Sequence, residues 1–170
     1  MGENSLSGEE IRRLYERHGP ALVVYACGYG LDAASAEDAV HTVFQRLLGD
    51  RIPAPRNAAG YIYRAVRNAA LNVRRGAARE TPMENYESVF AHQGGNREAT
   101  LTLQKALSEL PEEQREAIVM RIWSGMTLEE IATSQDVSLN TIASRYRYGL
   151  EKLREKMRPF EPARKDKVES

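Results

Sequence analysis

The sequence has little of what many protein functions require. Among its 170 residues there is one cysteine, Cys27, which excludes an internal disulfide and every zinc site built from several cysteines, and which fits a reducing cytosol. No apolar run reaches the roughly 20 residues that a helix needs to cross a bilayer. The first ten residues are polar and acidic, unlike a signal peptide. These absences predict a cytoplasmic protein without membrane insertion.

Residues suited to catalysis or metal binding are also sparse. The histidines His18, His41 and His92 are scattered along the chain, and no nucleophile–base pair or metal-ligand spacing connects them. The sequence therefore predicts neither an enzyme nor a cofactor nor a metal site. Cys27 lies in an apolar stretch and is interpreted as a small core residue.

A net charge is absent too, because 24 basic side chains balance 24 acidic ones. The distribution is nevertheless uneven. Residues 60–79 contain five arginines and no acid, and residues 141–158 contain six basic and two acidic side chains. Salt screens exposed charges beyond roughly 8 Å, so local patches rather than the total charge govern phosphate binding. The two basic patches indicate contacts with nucleic acid.

What the sequence does contain is helical periodicity, without strand-type alternation. Ser7 and Glu10 form a capping box that predicts the start of a helix. Gly19-Pro20 is predicted to interrupt this helix, and Ser35 is predicted to cap the next one.

The periodicity is lost between Gly76 and about Ala99, where glycine, proline, asparagine and charged residues are typical of a linker. The sequence therefore predicts an all-α fold of two small helical domains joined by a flexible linker, the second domain being a helix-turn-helix. The predicted parts are residues 7–79, a linker at 80–100, residues 101–158 and a polar tail at 159–170.

Residues 127–153 have the pattern of a helix-turn-helix, a motif that places its second helix in a major groove of DNA. Thr127 and Glu130 form a capping box for a short helix, Asp136 is predicted to be left-handed in the turn, and Ser138 caps the long helix. Tyr146 belongs to the apolar side of that helix. The other side is suited to base edges and phosphates. Its residues are Asn140, Thr141, Ser144, Arg145, Arg147, Tyr148 and Lys152.

These segments resemble a known family. Residues 106–155, "ALSELPEEQREAIVMRIWSGMTLEEIATSQDVSLNTIASRYRYGLEKLRE", closely resemble region four, the DNA-binding domain of bacterial sigma factors. "AEDAVHTVFQRLL" and "GYIYRAVRNAALNVRRG" resemble region two, and regions one and three have no counterpart. The chain is therefore similar to sigma factors of the extracytoplasmic-function (ECF) type. The resemblance implies that it binds core RNA polymerase, recognises two promoter elements and melts DNA.

The resemblance also implies roles for particular residues. The helix-turn-helix would read the −35 element, and the segment 61–75 would read and open the −10 element, since rings stack on bases while guanidinium groups hold phosphates. The −10 residues are Tyr61, Arg64, Arg67, Asn68, Arg74 and Arg75. The helix around residue 40 would bind a coiled coil of the polymerase β′ subunit, and region four the β flap. The β′ contacts are Glu37, Asp38, His41, Thr42 and Gln45. An anti-sigma factor is the expected regulator.

Two other classes of protein fit parts of the sequence. A helix-turn-helix regulator would bind duplex DNA without core polymerase, with its first domain sensing a ligand or partner. A sigma-like protein–protein adaptor would bind polymerase or an anti-sigma factor without starting transcription. The arginine–tyrosine patch at 61–75 argues against both, because neither needs a surface for melted DNA.

Overall fold

The computed structural model of the protein describes residues 5–50, 52–77 and 97–161. This part of the chain is helical, and its isolated β-bridge joins Ser5 and Pro53. The α-helices are α1 Gly8–Cys27, α2 Ala33–Gly49, α3 Ala58–Ala77, α4 Arg97–Glu109, α5 Glu112–Ile122, α6 Leu128–Gln135 and α7 Leu139–Met157, followed by a 3-10 turn at Arg158–Phe160.

The first three helices pack around one apolar centre. Leu22 and Tyr25 of α1, Val40 of α2, and Ile62 and Val66 of α3 are all at most 1% exposed. Each helix therefore presents one apolar side to the other two, as the i, i+3, i+4 spacing predicts. The all-α fold predicted from the sequence is confirmed for the residues that the structure describes.

Helix α1 does not stop where the sequence predicted. It continues through Pro20 to Cys27, so the predicted interruption at Gly19-Pro20 is wrong. A proline inside a helix removes one backbone hydrogen bond and costs about 3 kcal/mol. The turns after Pro20 contribute Leu22 and Tyr25, both fully buried, to the core. The free energy gained by burying them offsets the loss of the hydrogen bond. Local sequence signals do not indicate this gain, because it depends on contacts with other helices.

The start of α2 also differs by one turn. Asp32 caps this helix, and its side chain accepts a hydrogen bond of 2.8 Å from the backbone N–H of Ser35. Ser35 itself lies inside the helix, so its predicted capping role is wrong. Asp32 and Ser35 are both good capping residues. Ala33 and Ala36 are buried, and this burial favours the earlier start.

The second group of helices, α4 to α7, forms another packed unit. Ile118 of α5, Ile131 of α6 and Ile142 of α7 are fully buried where these helices meet. Helix α4 begins at Arg97, so the last residues of the segment predicted as linker are helical. The remainder of that segment, residues 80–96, and most of the predicted tail, residues 162–170, lie outside the described residues.

Candidate nucleic-acid and polymerase interfaces

The helix-turn-helix forms from α6 and α7 as its caps predict. Thr127 accepts a hydrogen bond of 3.1 Å from the N–H of Glu130, and the Glu130 carboxylate accepts one of 2.8 Å from the N–H of Thr127. Asp136 adopts the predicted left-handed conformation, with φ 53° and ψ 47°. Ser138 then caps α7 by accepting a hydrogen bond of 3.1 Å from the N–H of Thr141. These local features fix the angle at which α7 leaves the turn.

We call the seven predicted −35 residues the −35 surface. The apolar side of α7 packs inward through Ile142 and Leu153, with Tyr146 partly buried beside them, so the −35 surface faces away from the core. The guanidinium carbon of Arg147 lies 4.9 Å from the centre of the Tyr148 ring, a cation–π contact. Exposed members are Asn140, Arg147, Tyr148 and Lys152, and half-buried members are Thr141, Ser144 and Arg145.

Arg145 is held by a contact that the sequence did not reveal. Its Nη1 donates a hydrogen bond of 3.2 Å to the side-chain oxygen of Gln135, the last residue of α6. The Gln135 Nε2 in turn donates one of 3.0 Å to Glu116 of α5. Gln135 is therefore a positioning residue for the −35 surface. No motif marks it, because the contact depends on the angle between α6 and α7.

The six predicted −10 residues lie on α3 and are called the −10 surface here. Asn57 begins this helix by accepting a hydrogen bond of 3.0 Å from the N–H of Gly60. Ile62, Val66 and Ala70 are fully buried and turn the opposite side of α3 towards the core. Exposed members of the −10 surface are Arg64, Asn68, Arg74 and Arg75, and half-buried members are Tyr61 and Arg67.

Arg67 differs from the rest of the −10 surface because it has a partner in the second domain. Its Nε donates to a carboxylate oxygen of Glu112 at the start of α5, forming an ion pair. This hydrogen bond raises the pKa of the Arg67 guanidinium. Burial opposes ionisation of Glu112, but hydrogen bonds from Arg67 and Tyr29 keep the pKa of its carboxyl below the usual value. Both groups are therefore charged at neutral pH.

The five predicted polymerase contacts share the outer side of α2, which we call the polymerase face. All five are exposed: Glu37, Asp38, His41, Thr42 and Gln45.

Two further features of the polymerase face were not anticipated from the sequence. His41 Nε2 lies 3.2 Å from the hydroxyl of Tyr15 in α1. Leu48, one and two turns further along α2 from Gln45 and His41, is 64% exposed. An exposed leucine at this spacing adds an apolar residue to the side of α2 that carries the five predicted contacts, and the i, i+4, i+7 spacing of His41, Gln45 and Leu48 was the signal that could have identified it.

The two domains touch through buried polar groups. The hydroxyl of Tyr25 donates a hydrogen bond to Glu116 of α5, and the hydroxyl of Tyr29 donates one of 2.9 Å to the oxygen of Tyr25. Burial raises the pKa of the Glu116 carboxyl and strongly raises that of the Tyr25 hydroxyl. Nearby, His18 Nδ1 is hydrogen-bonded at 3.0 Å to the hydroxyl of Ser124.

Within the described ranges, no group of three or more histidine, cysteine or acidic side chains is arranged to hold a metal ion. Over the same residues, no helix is both long enough and apolar enough to cross a membrane. Cys27 is buried as predicted, and burial raises the pKa of its thiol to about 12.

Comparisons with known proteins agree with this arrangement. Residues 14–80 match the family model of sigma-70 region 2, and residues 106–155 match that of sigma-70, region 4. The ECF RNA polymerase sigma factor SigL of Mycobacterium tuberculosis is 29% identical over 156 residues, which cover 85% of this chain and 86% of SigL.

Two solved structures have a similar fold. The sigma factor RpoE of Bartonella quintana, in complex with the anti-sigma factor NepR, has a TM-score of 0.65 and 23% identity, covering 89% of this chain and 98% of that one. CnrH, in complex with the cytosolic domain of CnrY, has a TM-score of 0.61 and 20% identity, covering 91% and 92%.

The chain therefore belongs to the sigma-70 family, with regions 2 and 4 on one polypeptide, and the predicted resemblance to ECF sigma factors is confirmed. As a sigma factor it directs promoter-specific transcription by core RNA polymerase.

Proposed function

We propose that the two domains divide promoter recognition between them. The −35 surface on α7 reads the −35 element in the major groove, and the −10 surface on α3 holds and opens the −10 element. The observation that carries this proposal is that one chain presents both an exposed helix-turn-helix face and a second exposed face of arginines and one tyrosine. A regulator that binds duplex DNA needs only the first of these.

The −35 surface combines two kinds of contact. Asn140 and Thr141 lie in the first turn of α7, the part of a recognition helix that reaches base edges. Lys152 lies three turns further along and is suited to a backbone phosphate. The hydrogen bond to Gln135 fixes the direction of the Arg145 side chain. A guanidinium held in one direction is suited to a hydrogen bond with a particular base rather than to general electrostatic attraction to phosphates.

The −10 surface is suited to single-stranded DNA. Bases that leave the duplex gain stacking on an aromatic ring, worth about 1–3 kcal/mol per base, and arginines hold the phosphates between them. Tyr61 supplies the ring at the start of α3, and Arg74 and Arg75 supply exposed charge at its end.

The polymerase face on α2 binds the β′ coiled coil, with Leu48 adding apolar contact to its polar residues. The second domain is proposed to contact the β flap.

The chain supplies promoter recognition and the polymerase supplies the chemistry of RNA synthesis, so no catalytic role is assigned to the chain itself. Since core polymerase and promoter DNA are its partners, we expect it to act in the cytoplasm.

An anti-sigma factor is the proposed regulator. RpoE of Bartonella quintana is described with the anti-sigma factor NepR, and CnrH with the cytosolic domain of CnrY. Both have a fold similar to this chain across about nine-tenths of its length.

Run-off transcription with purified core polymerase tests the proposal. We expect the protein plus core to produce transcripts of discrete length from particular genomic fragments, whereas core alone does not. Specific duplex binding without core, combined with no effect on core across a genomic template pool, would instead support a regulator. Binding to core without any discrete transcript would support the adaptor.

A further inference from the structure

Helix α1 contributes a residue beside the polymerase face, although all five predicted contacts lie on α2. At about 100° per residue, Glu37, His41 and Leu48 fall within an arc of about 40°, so they form one edge of the outer side of α2. Tyr15 of α1 contacts His41, which places α1 alongside this edge. Tyr15 is 42% exposed, so a partner that docks on the polymerase face can reach it.

The Tyr15 ring is held in place by its neighbours. It meets the Phe44 ring edge to face, with ring centres 5.1 Å apart and an interplanar angle of 84°. It also lies against the backbone of α1 at Gly19, where a Cβ atom would be 3.6 Å from the ring, an ordinary van der Waals distance. Phe44 is only 5% exposed. The Tyr15 ring therefore rests on a fixed part of the core.

The Tyr15 hydroxyl lies 3.2 Å from Nε2 of His41, within hydrogen-bond distance. In a neutral imidazole one ring nitrogen donates and the other accepts. A hydroxyl that donates to Nε2 leaves the ring proton on Nδ1 and fixes the direction of the ring. Among the residues that the structure describes, Nδ1 of His41 has no hydrogen-bond partner. Its N–H is therefore available to another molecule.

Folding does not account for the hydrogen bond between Tyr15 and His41. Helices α1 and α2 are already joined by buried apolar residues, among them Leu22 and Val40. Tyr15 and His41 are both exposed, and a hydrogen bond in contact with water adds little to net stability because water can replace it. What the bond does is order an exposed histidine. A side chain that is ordered in advance loses less entropy when it binds a partner.

We infer that Tyr15 is a positioning residue for polymerase binding. Its hydroxyl donates to Nε2 of His41, holds the ring in the Nδ1–H tautomer and so directs Nδ1–H to a side-chain oxygen of the β′ coiled coil. A side-chain oxygen is the acceptor because the backbone carbonyls inside a helix are already hydrogen-bonded. The role in binding rests on the proposed function of the polymerase face, whereas the tautomer of His41 does not.

Nitrogen-15 NMR of the full-length protein tests the tautomer without polymerase. The chemical shifts of Nδ1 and Nε2 depend on which of them carries the proton. Spectra are recorded at a pH above which the imidazole signals no longer change, so that the ring is neutral, and the signals missing from His41→Gln identify His41. We expect the Nδ1–H form in the unchanged protein and a mixture of tautomers in Tyr15→Phe. A mixture or the Nε2–H form in the unchanged protein would overturn the inference.

Binding to immobilised core polymerase without DNA tests the role of the pair. We expect Tyr15→Phe to bind core about fivefold more weakly, the effect of one hydrogen bond. His41→Ala should also weaken binding, and adding Tyr15→Phe to it should cause no further loss, because the hydroxyl acts through His41. The matched control is Tyr146→Phe, which removes the hydroxyl of a half-buried tyrosine on the apolar side of α7 and should bind core normally.

Urea unfolding separates positioning from stability. Tyr15→Phe keeps its ring on Phe44, so its free energy of unfolding should equal that of the unchanged protein. Unchanged core affinity in Tyr15→Phe would contradict the inference, and so would the same loss from Tyr15→Phe with and without His41→Ala. Normal core binding by both His41→Ala and Leu48→Ala would instead show that the proposed polymerase face is wrong, so the two failures give different patterns.

Discussion

Tyr25 in α1 donates a hydrogen bond to Glu116 in α5, and the two residues are 91 positions apart in the chain. Tyr25 is fully buried and Glu116 is half-buried, so this bond lies largely out of contact with water. A carboxyl group in such a place is stable only with partners, and Tyr25 and Gln135 supply them from either side. The Glu116 carboxyl group therefore connects Tyr25 of the first domain to Gln135, the residue that is hydrogen-bonded to Arg145 of the −35 surface.

Removal of the Tyr25 hydroxyl should weaken the contact between the domains. Tyr25→Phe keeps the ring in the core but leaves Glu116 short of one partner, which costs about 1–3 kcal/mol. We therefore expect Tyr25→Phe to lower the free energy of unfolding measured in urea. Tyr148→Phe is the matched control, since that ring is 48% exposed and its hydroxyl is not part of the domain contact. Equal effects from the two changes would contradict a role for the Tyr25–Glu116 bond.

Acidification should destabilise the protein through His18. Burial and the neighbouring Arg17 lower the pKa of His18 to about 4 from an ordinary 6.5, while Glu130 of α6 opposes this shift, and Ser124 and Tyr63 line the same site. Because the folded pKa is depressed, the folded protein binds fewer protons between pH 6.5 and 4. Stability from neutral His18 is therefore complete above pH 6.5 and is lost as the pH falls through this window.

Urea unfolding of the protein and of His18→Gln at pH 7 and pH 5 measures this effect. The unchanged protein should lose about 2 kcal/mol more than the variant over this interval, because glutamine does not titrate. Comparing the two proteins cancels the contributions of all other acidic and basic groups. Parallel loss of stability in both would show that His18 is not the responsible group.

If the −35 and −10 surfaces have their proposed roles, substitutions in them should impair different steps of initiation. Arg145→Ala should weaken −35 recognition by about 1–3 kcal/mol in closed complexes, since it removes a directed guanidinium. Tyr61→Ala should spare closed complexes but impair opening, because stacking matters only once bases leave the duplex. Gel-shift assays measure the first step and permanganate footprinting the second. Arg12→Ala, an exposed arginine on α1, is the control and should affect neither. Identical effects of Arg145→Ala and Tyr61→Ala on both steps would contradict the division of roles.

Leu48 should matter for polymerase binding and little for folding. Its side chain is 64% exposed in the free protein, so Leu48→Ala leaves the core intact. If the polymerase face docks as proposed, burial of this leucine contributes about 1–2 kcal/mol, and the variant should bind core roughly tenfold more weakly. Leu101→Ala on α4, an exposed leucine outside the polymerase face, should bind normally. Surface plasmon resonance with immobilised core measures both.

Local chemistry made much of this structure predictable. The capping residues Ser7, Thr127 and Ser138 act through atoms only a few positions away, and the structure confirms all three. The left-handed Asp136 is likewise a local property of the turn. Because the whole helix-turn-helix depends on such short-range signals, the sequence alone determined where α6 and α7 begin and how the turn between them is formed.

The sequence-based predictions of helix boundaries were wrong where burial of apolar side chains outweighed a local signal. Pro20 predicted a break, yet the apolar residues after it belong to the core and keep α1 continuous. Ser35 and Asp32 were nearly equal capping candidates, and packing of the neighbouring alanines decided between them. Periodicity describes one helix at a time, so it cannot weigh the contacts that a helix makes with others.

The amino-acid sequence by itself determined the all-α character of the described residues and the starts of α1, α6 and α7, because caps and apolar spacing act within a few turns. Only the tertiary structure decided that Arg67 pairs with Glu112, that Gln135 holds Arg145, and that Gly60 meets the backbone of Ser134. Each of these contacts joins two different helices, and the contacts of Arg67 and Gly60 join residues at least 45 positions apart. They depend on how the helices pack, and that packing is fixed by the sum of many buried contacts rather than by any one motif.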